Sequence, residues 1–377
     1  MVLPIEMSVG IKKEPSQHYM KTALVLAQRG LGCVWPNPAV GCLLVKDNNV
    51  VGRGWTQSGG RPHAESVALQ QAGSVARGAT VYVTLEPCSH HGKTPPCIDA
   101  LIDAGVSRVV IAREDPDPRV SGRGIAALKA AGITTEVGLL RQQATFLNAG
   151  FFSRIERNRP LVTLKFASSL DSRIALANGQ SQWVTGNAGR AYGHRLRAEY
   201  DAILVSVRTV LKDNPQLTCR FPGLEDRSPI RLILDKNLEV SSEAKSLSDQ
   251  VPTWILTATE ANIATKKINN SMVEIIQVPT LLDGHLDLKA AMVLLGRRGL
   301  TRVLVEGGAE LSMAFLKAQL VDRIVWIRAQ TLLGGDAIPV SGPLDLQNLD
   351  AALHLTRIED PIILDKDIIE GLNLANN

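Results

Sequence analysis

Along this chain, short apolar runs alternate with stretches of helical apolar spacing in two successive series. One charged, proline-ended break, Glu156-Arg157-Asn158-Arg159-Pro160, separates them. Alternation of this kind directs strands into a sheet covered by helices, the α/β class, and charge plus proline is linker chemistry. A boundary at 158/159 therefore predicts two domains, residues 1–158 and 159–377. At about 100–200 residues per domain, each half is long enough to bury its own core.

In the first half the spacing predicts a helix over 18–29, stopped by Gly30, and a hairpin of strands 39–45 and 50–54 across Asp47-Asn48-Asn49. Strands are expected at 79–85, 108–112 and 133–137, and helices at 96–104, 124–131 and 139–155. The second half predicts strands at 161–166, 202–207, 230–234, 253–256, 273–278, 302–305 and 323–328. Its helices are expected at 189–199, 288–298 and 310–318. Residues 238–250 read as a polar surface excursion, and 344–377 carry no diagnostic pattern.

Composition excludes several classes. No apolar stretch reaches the ~18 residues of a membrane span. The first residues carry Glu6 and no basic cluster, unlike a signal peptide, so a cytoplasmic protein is expected. The five cysteines, an odd number, argue against a disulfide framework and leave a metal site or inert thiols. A net charge of +4 suits phosphate-bearing small molecules. With 4% aromatic residues and no Lys/Arg runs, nucleic-acid binding is not expected.

Three short strings in the first half carry chemistry: His63-Ala64-Glu65, Glu86-Pro87-Cys88 and Pro95-Pro96-Cys97. One His and two Cys supply three zinc ligands and leave a fourth tetrahedral position for water, whose pKa falls toward ~7 on the metal. Glu65 can stay beside that metal, take the water's proton and pass it to a leaving amine. Cys88 and Cys97 are expected at helix starts, where the dipole favours thiolate. His-x-Glu followed by Pro-Cys…Cys is the pattern of zinc deaminases, here with eight residues between the cysteines instead of two. A purely structural zinc would need a closing ligand, for which Cys33 and Cys42 are available.

In the second half, polar residues stand at the ends of apolar strands, where open α/β sheets bind ligands. The sharpest string is Val303-Leu304-Val305-Glu306-Gly307-Gly308, a strand and a glycine pair before a helix. Backbone amides at such a helix start can cradle a diphosphate. The spacing is not G-x-G-x-x-G, so a Rossmann domain is not supported.

The string Pro87-Cys88-Ser89-His90-His91-Gly92-Lys93-Thr94-Pro95-Pro96-Cys97 resembles the bifunctional deaminase–reductases of riboflavin biosynthesis. So do Pro36-Asn37-Pro38-Ala39-Val40-Gly41 and Asp115-Pro116-Asp117-Pro118-Arg119-Val120. The likeness runs from about His18 to about Gly335. It implies a cytidine-deaminase-like α/β/α domain with one zinc, then a dihydrofolate-reductase-like domain using NADPH, in a homo-oligomer. It further implies that Asn37, His90, Lys93 and Asp115 hold a phosphorylated pyrimidine, with Lys93 toward phosphate. In the reductase half, Lys165, Ser181, Arg197, Leu217, Arg220 and Glu306 match substrate positions, the arginines suiting phosphate. Ala167, Trp183, Thr209, Asp213, Gly307 and Gly308 match cofactor positions. Three residues depart from the family pattern: Thr56 in place of His, Asp117 in place of Asn, and Ser172 in place of Gly.

Overall fold

A computed structural model describes residues 15–90, 95–118, 120–248, 251–259, 268 and 270–374. They form two compact units. The first holds the described residues up to Gly30 together with Pro38–Asn148; the second holds Leu31–Asn37 and the described residues from Ala149 onward.

The first unit comprises α1 (Pro15–Gln28), β1 (Gly41–Lys46), β2 (Asn49–Trp55), α2 (Ala64–Ala72), β3 (Thr80–Val83), α3 (Cys97–Asp103), β4 (Arg108–Ile111), α4 (Arg123–Ala130), β5 (Thr134–Val137) and α5 (Arg141–Leu147). The strand order is β2-β1-β3-β4-β5. β1 runs antiparallel to both neighbours, whereas β3, β4 and β5 are parallel. The expected hairpin forms across Asp47 and Asn48, both at positive φ (49° and 60°), a conformation Asn and Asp tolerate.

Glycines let the helices lie close on the sheet. A Cβ on Gly41 would come within 1.9 Å of the Ala23 carbonyl oxygen on α1. One on Gly54 would come within 2.0 Å of the Ala64 carbonyl oxygen on α2. Gly54 pairs across the hairpin with Cys42, the neighbour of Gly41, so α1 and α2 cover opposite faces.

The second unit comprises α6 (Ala149–Arg157), β6 (Leu161–Ser168), β7 (Arg173–Ala175), α7 (Asn187–Ala198), β8 (Ala202–Ser206), α8 (Val207–Asp213), β9 (Ile230–Leu234), β10 (Thr253–Ala258), β11 (Val273–Val278), α9 (Leu288–Arg297), β12 (Arg302–Glu306), α10 (Ala309–Lys317), β13 (Arg323–Ala329), β14 (Ile338–Pro339), β15 (Leu355–Arg357), β16 (Ile362–Leu364) and β17 (Asp367–Leu374). The main sheet runs β11-β10-β9-β8-β12-β6-β13-β17-β15, with β16 also paired to β17. It is parallel from β11 to β13 and turns antiparallel at β17. Alternate residues feed separate cores. Leu204, Leu232 and Leu256 join Met292, Phe315 and Leu316 of α9 and α10, whereas Ile203, Val205, Ile233 and Ile255 pack with Val210 of α8 and Leu247.

Four expectations change. The helix expected over 139–155 is two helices, and the units part between Asn148 and Ala149, earlier than 158/159. Asn148 accepts the Ala39 N–H and donates to the Ala39 carbonyl, both at 2.9 Å, tying the end of α5 to the first unit. α6 instead serves the second, where Arg154 donates to the Gly296 carbonyl. The segment 238–250 is no mere surface excursion over its described residues, because Leu238, Val240, Ala244 and Leu247 are buried in a core. Buried Arg231 laces it down through the Lys245, Ser248 and Val251 carbonyls. Within the stretch unpatterned in sequence, Leu355–Arg357, Ile362–Leu364 and Asp367–Leu374 supply the antiparallel edge of the main sheet. There Asp367 accepts the Gly186 N–H at the start of α7, and a Cβ on Gly189 would lie 2.2 Å from its carboxylate.

Replacing Gly54 by Ala should push α2 off β2 and lower the stability of the first unit by about 2 kcal/mol, the usual scale of overpacking. Because His63 caps α2, zinc affinity should fall with it. Thermal denaturation and zinc titration check both expectations.

Candidate active sites

In the first unit the three ligand-type residues come from three pieces of backbone. His63 is the N-cap of α2, Cys97 is the first residue of α3, and Cys88 lies after β3 in a segment outside helix and strand. The expectation of a helix start holds for Cys97 but not for Cys88. Cys88 Sγ instead accepts the Cys97 N–H at 3.3 Å. His63 Nδ1 lies 3.2 Å from Cys97 Sγ and 3.6 Å from Cys88 Sγ. All three donor atoms fall within 4.8 Å of one another, a spacing that fits a tetrahedral N/S-bound ion. Hydrogen bonding from the Cys97 side chain, then from His63 and the Cys97 backbone N–H, overrides burial and draws the Cys88 thiol down to about 4.

Glu65, in the first turn of α2, is 4% exposed. Burial, then the Cys88 charge, pushes its carboxyl up to about 7, the range that suits proton transfer near neutrality. Cys42 is buried on β1 outside the cluster, and Cys33 belongs to the second unit.

A buried carboxylate the sequence reading left without a role supports the neighbouring loop. Glu86 accepts the N–H groups of Asp115, Gly122, Gly124 and Ile125 at 3.0–3.3 Å, gripping the loop that leads into α4. Asp115 in turn accepts the Asp117 N–H at 2.9 Å, so Asp117 belongs to a turn. His90 has a buried Nδ1 with no hydrogen-bond partner among the described residues. Lys93 lies outside the described residues. Asn37 falls in the short segment that belongs to the second unit, its N–H donating to the Val34 carbonyl. Thr56 is buried, accepting the Val40 N–H and donating to the Pro38 carbonyl.

In the second unit a cleft of about 540 Å³ opens at the carboxyl ends of β6, β8 and β12. It gathers Lys165, Ala167, Ser181, Arg197, Thr209, Asp213, Leu217, Glu306, Gly307 and Gly308. Trp183 and Arg220 do not line it. Trp183 is 68% exposed beneath the Arg190 guanidinium, 4.4 Å from the ring centroid. Arg220 instead lines an adjoining hollow with Thr218 and Ser228. Ser172 takes φ 60°, where glycine is more at ease.

Glu306 anchors the cleft. Arg197 grips its carboxylate with two bonds, 2.9 and 3.0 Å, and Lys165 Nζ lies 3.6 Å away. Burial works to raise that carboxyl, but Arg197 and Lys165 prevail and hold it at about 2. The glycine pair opens the cleft wall. A Cβ on Gly307 would strike Leu311 at 2.8 Å, while one on Gly308, the N-cap of α10, would point into open space. That leaves the α10 amides accessible to a dinucleotide phosphate.

Sequence reasoning gave Ser206, Arg208 and Lys212 of the cleft lining no role, because it ran the strand on to 207 and left the short helix α8 unassigned. The one-turn spacings Arg208/Lys212 and Thr209/Asp213 were the available signal.

One unit with a His/Cys/Cys cluster beside a buried glutamate, and a second with a phosphate-suited cleft on a largely parallel sheet, define a two-unit enzyme of the zinc-deaminase and nucleotide-reductase class. Residues 13–113 match the cytidine and deoxycytidylate deaminase zinc-binding region, and residues 160–362 match the RibD C-terminal domain. The chain is 41% identical over 346 residues to the riboflavin biosynthesis protein RibD of Aquifex aeolicus, covering 92% of this chain and 95% of that protein. It is 44% identical over 334 residues to RibD of Escherichia coli, covering 85% and 89%. The solved Acinetobacter baumannii RibD superposes with a TM-score of 0.85 at 38% identity, covering 96% of this chain and 99% of that one. A Thermotoga maritima diaminohydroxyphosphoribosylaminopyrimidine deaminase/5-amino-6-(5-phosphoribosylamino)uracil reductase does so at 0.83 and 33%, with the same coverage. The chain belongs to the RibD family, the bifunctional deaminase–reductases of riboflavin biosynthesis. Its cofactors are zinc and NADPH, its substrates are small molecules, and among the described residues no helix is long and apolar enough to cross a membrane.

The Glu306 charge makes the second unit acid-sensitive with a definite sign. A carboxyl lowered from 4.5 to about 2 contributes stability that is complete above pH 4.5 and is lost as pH falls toward 2. Glu306→Gln should cost about 3 kcal/mol near neutrality, since it leaves Arg197 buried without its partner. The gap to the native protein should close on acidification. Urea melts over a pH series would show it.

Proposed function

We propose that His63, Cys88 and Cys97 hold the zinc, and that Glu65 is the proton carrier of a hydrolytic deamination. The observation that carries this reading is the convergence of three soft donors beside a carboxyl buried at 4% exposure. Bound zinc supplies the Lewis acidity that makes water nucleophilic near neutral pH. Glu65 takes one proton from that water as it adds to the ring carbon bearing the exocyclic amine. Glu65 delivers that proton to the departing nitrogen and the water's second proton passes to the adjacent ring nitrogen, so ammonia leaves and a carbonyl remains. The substrate is diaminohydroxyphosphoribosylaminopyrimidine and the product is 5-amino-6-(5-phosphoribosylamino)uracil. Asn37, His90, Lys93 and Asp115 hold the pyrimidine and its phosphoribosyl arm.

In the second unit, NADPH, when bound, would supply a hydride to the anomeric carbon of the sugar in its ring-opened, imine-like form, whose nitrogen takes up a proton, converting ribosyl to ribityl. Ala167, Trp183, Thr209, Asp213 and the Gly307–Gly308 turn receive that cofactor. Ser181, Leu217, Arg197 and Arg220 bind the phosphoribosyl arm, and Lys165 and Glu306 orient the ribose. The two activities divide between the two units. The enzyme works in the cytoplasm as a homo-oligomer and does not bind nucleic acid.

Glu65→Gln should retain zinc, reduce deamination about a thousandfold, and leave reduction of the deaminated substrate intact. Cys88→Ser should lose zinc and deamination together, and Cys33→Ser should keep both. Product masses with and without NADPH, alongside zinc content, test the scheme. Loss of both activities in folded Glu65→Gln would sink it.

A further inference from the structure

His194 sits on α7 one turn before Arg197, and its side chain reaches the segment that carries Arg220. Its Nδ1 lies 3.2 Å from the Arg220 backbone nitrogen and 3.2 Å from the Thr218 carbonyl oxygen. A backbone N–H can only donate, so Nδ1 is the acceptor and the ring carries its proton on Nε2. The Thr218 carbonyl receives Arg197 instead, at 2.9 Å. The backbone of the same residue adds a further tie, since the His194 carbonyl accepts the Cys219 thiol at 3.2 Å.

We propose that His194 is a positioning residue of the reductase, clamping the Thr218–Arg220 segment to α7 so that Arg220 and Arg197 are presented together to the substrate phosphate. The inference rests on the assignment of those two arginines to that phosphate. Holding them together is uphill, because each guanidinium repels the other. Glu306 is committed to Arg197 and Lys165, and among the described residues Arg220 has no ion-pair partner. Its guanidinium reaches no further than Gln216 and Thr218, at 3.3 and 3.4 Å.

The chemistry of the clamp follows from this charge balance. A carboxylate at position 194 would hold the Arg220 N–H more strongly but would cancel the positive charge a phosphate needs. A cation could not accept at all. A neutral imidazole does both jobs, and its surroundings keep it neutral. Burial, then Arg197 on its own helix and Arg220 on the clamped segment, draw it down to about 4, against Glu306 from β12.

The test uses the full chain, NADPH and 5-amino-6-(5-phosphoribosylamino)uracil. His194→Phe keeps a ring but no acceptor, and His194→Asn places Oδ1 where Nδ1 was. The Phe variant should raise KM for the uracil about tenfold, the scale of one hydrogen bond, with kcat within about twofold. Its NADPH dissociation constant, read by fluorescence titration, and its deamination rate should not move. The Asn variant should recover KM to within about threefold of the native value. An unchanged KM in the Phe variant overturns the clamp. So does a joint loss of kcat, NADPH affinity and melting temperature, or an Asn variant no better than Phe. Arg220→Met separates the two levels: unchanged KM there overturns the phosphate assignment itself, while raised KM beside a native-like Phe variant overturns the clamp alone.

Discussion

The carboxylate of Glu306 is the constraint around which the second unit's chemistry is arranged. It sits at the carboxyl end of β12, mostly buried at the wall of the cleft, where Arg197 meets it with two bonds and Lys165 with a third contact. A buried charge without such partners would be neutralised or expelled. That requirement locks three elements together: β12, which supplies Glu306; β6, which supplies Lys165; and α7, which supplies Arg197. The cleft is the space left at their ends, and its surplus of positive charge is what a phosphorylated substrate and a dinucleotide require. α7 is held from its other end as well, by Asp367 at its N-terminus, so the C-terminal strand β17 helps decide where Arg197 stands.

The first unit solves a related problem with donor atoms instead of charges. Two thiols and an imidazole come within 4.8 Å of one another because two helix starts and a segment outside helix and strand converge over the sheet. Small residues make that convergence possible, since α2 lies where Gly54 leaves room for the Ala64 carbonyl. Glu65 then follows from helix geometry, placed in the first turn beyond the His63 cap and buried beside the thiolate. Glu86, immediately before the Pro87-Cys88 pair, gathers four N–H groups of the loop that carries Asp115. One short string of sequence therefore serves the metal and the substrate loop together.

Much of this was legible in the chain. The α/β rhythm, the strands β1–β6 and β8–β13 and the His63/Glu65/Cys88/Cys97 set follow from periodicity and from the scarcity of residues that bind zinc. The resemblance of the motifs anticipated Lys165, Arg197 and Glu306 in the cleft. Other features were not legible, for identifiable reasons. The helix α8 is a single seven-residue element, about two turns long, and the strand expected over 202–207 ran into its first residue, so Arg208 and Lys212 were given no role. Residues 238–248 look polar because their few apolar side chains, Leu238, Val240 and Leu247, are spaced to meet a core contributed by distant strands. Trp183 and Arg220 carry motif identities, yet stand outside the cleft lining.

The sequence by itself determined which residues could do chemistry and which local elements would hold them, because ligand type, helix period and strand alternation are properties of neighbours in the chain. Only the tertiary structure decided that Glu306 is ionised, that Cys88 is held by the amide of Cys97, that Asp367 caps α7, and that His194 meets Arg220. Each of these depends on the distance between groups far apart in sequence and on how much water reaches them. Coulombic attraction, hydrogen bonding and desolvation all act through that distance and that exclusion of water.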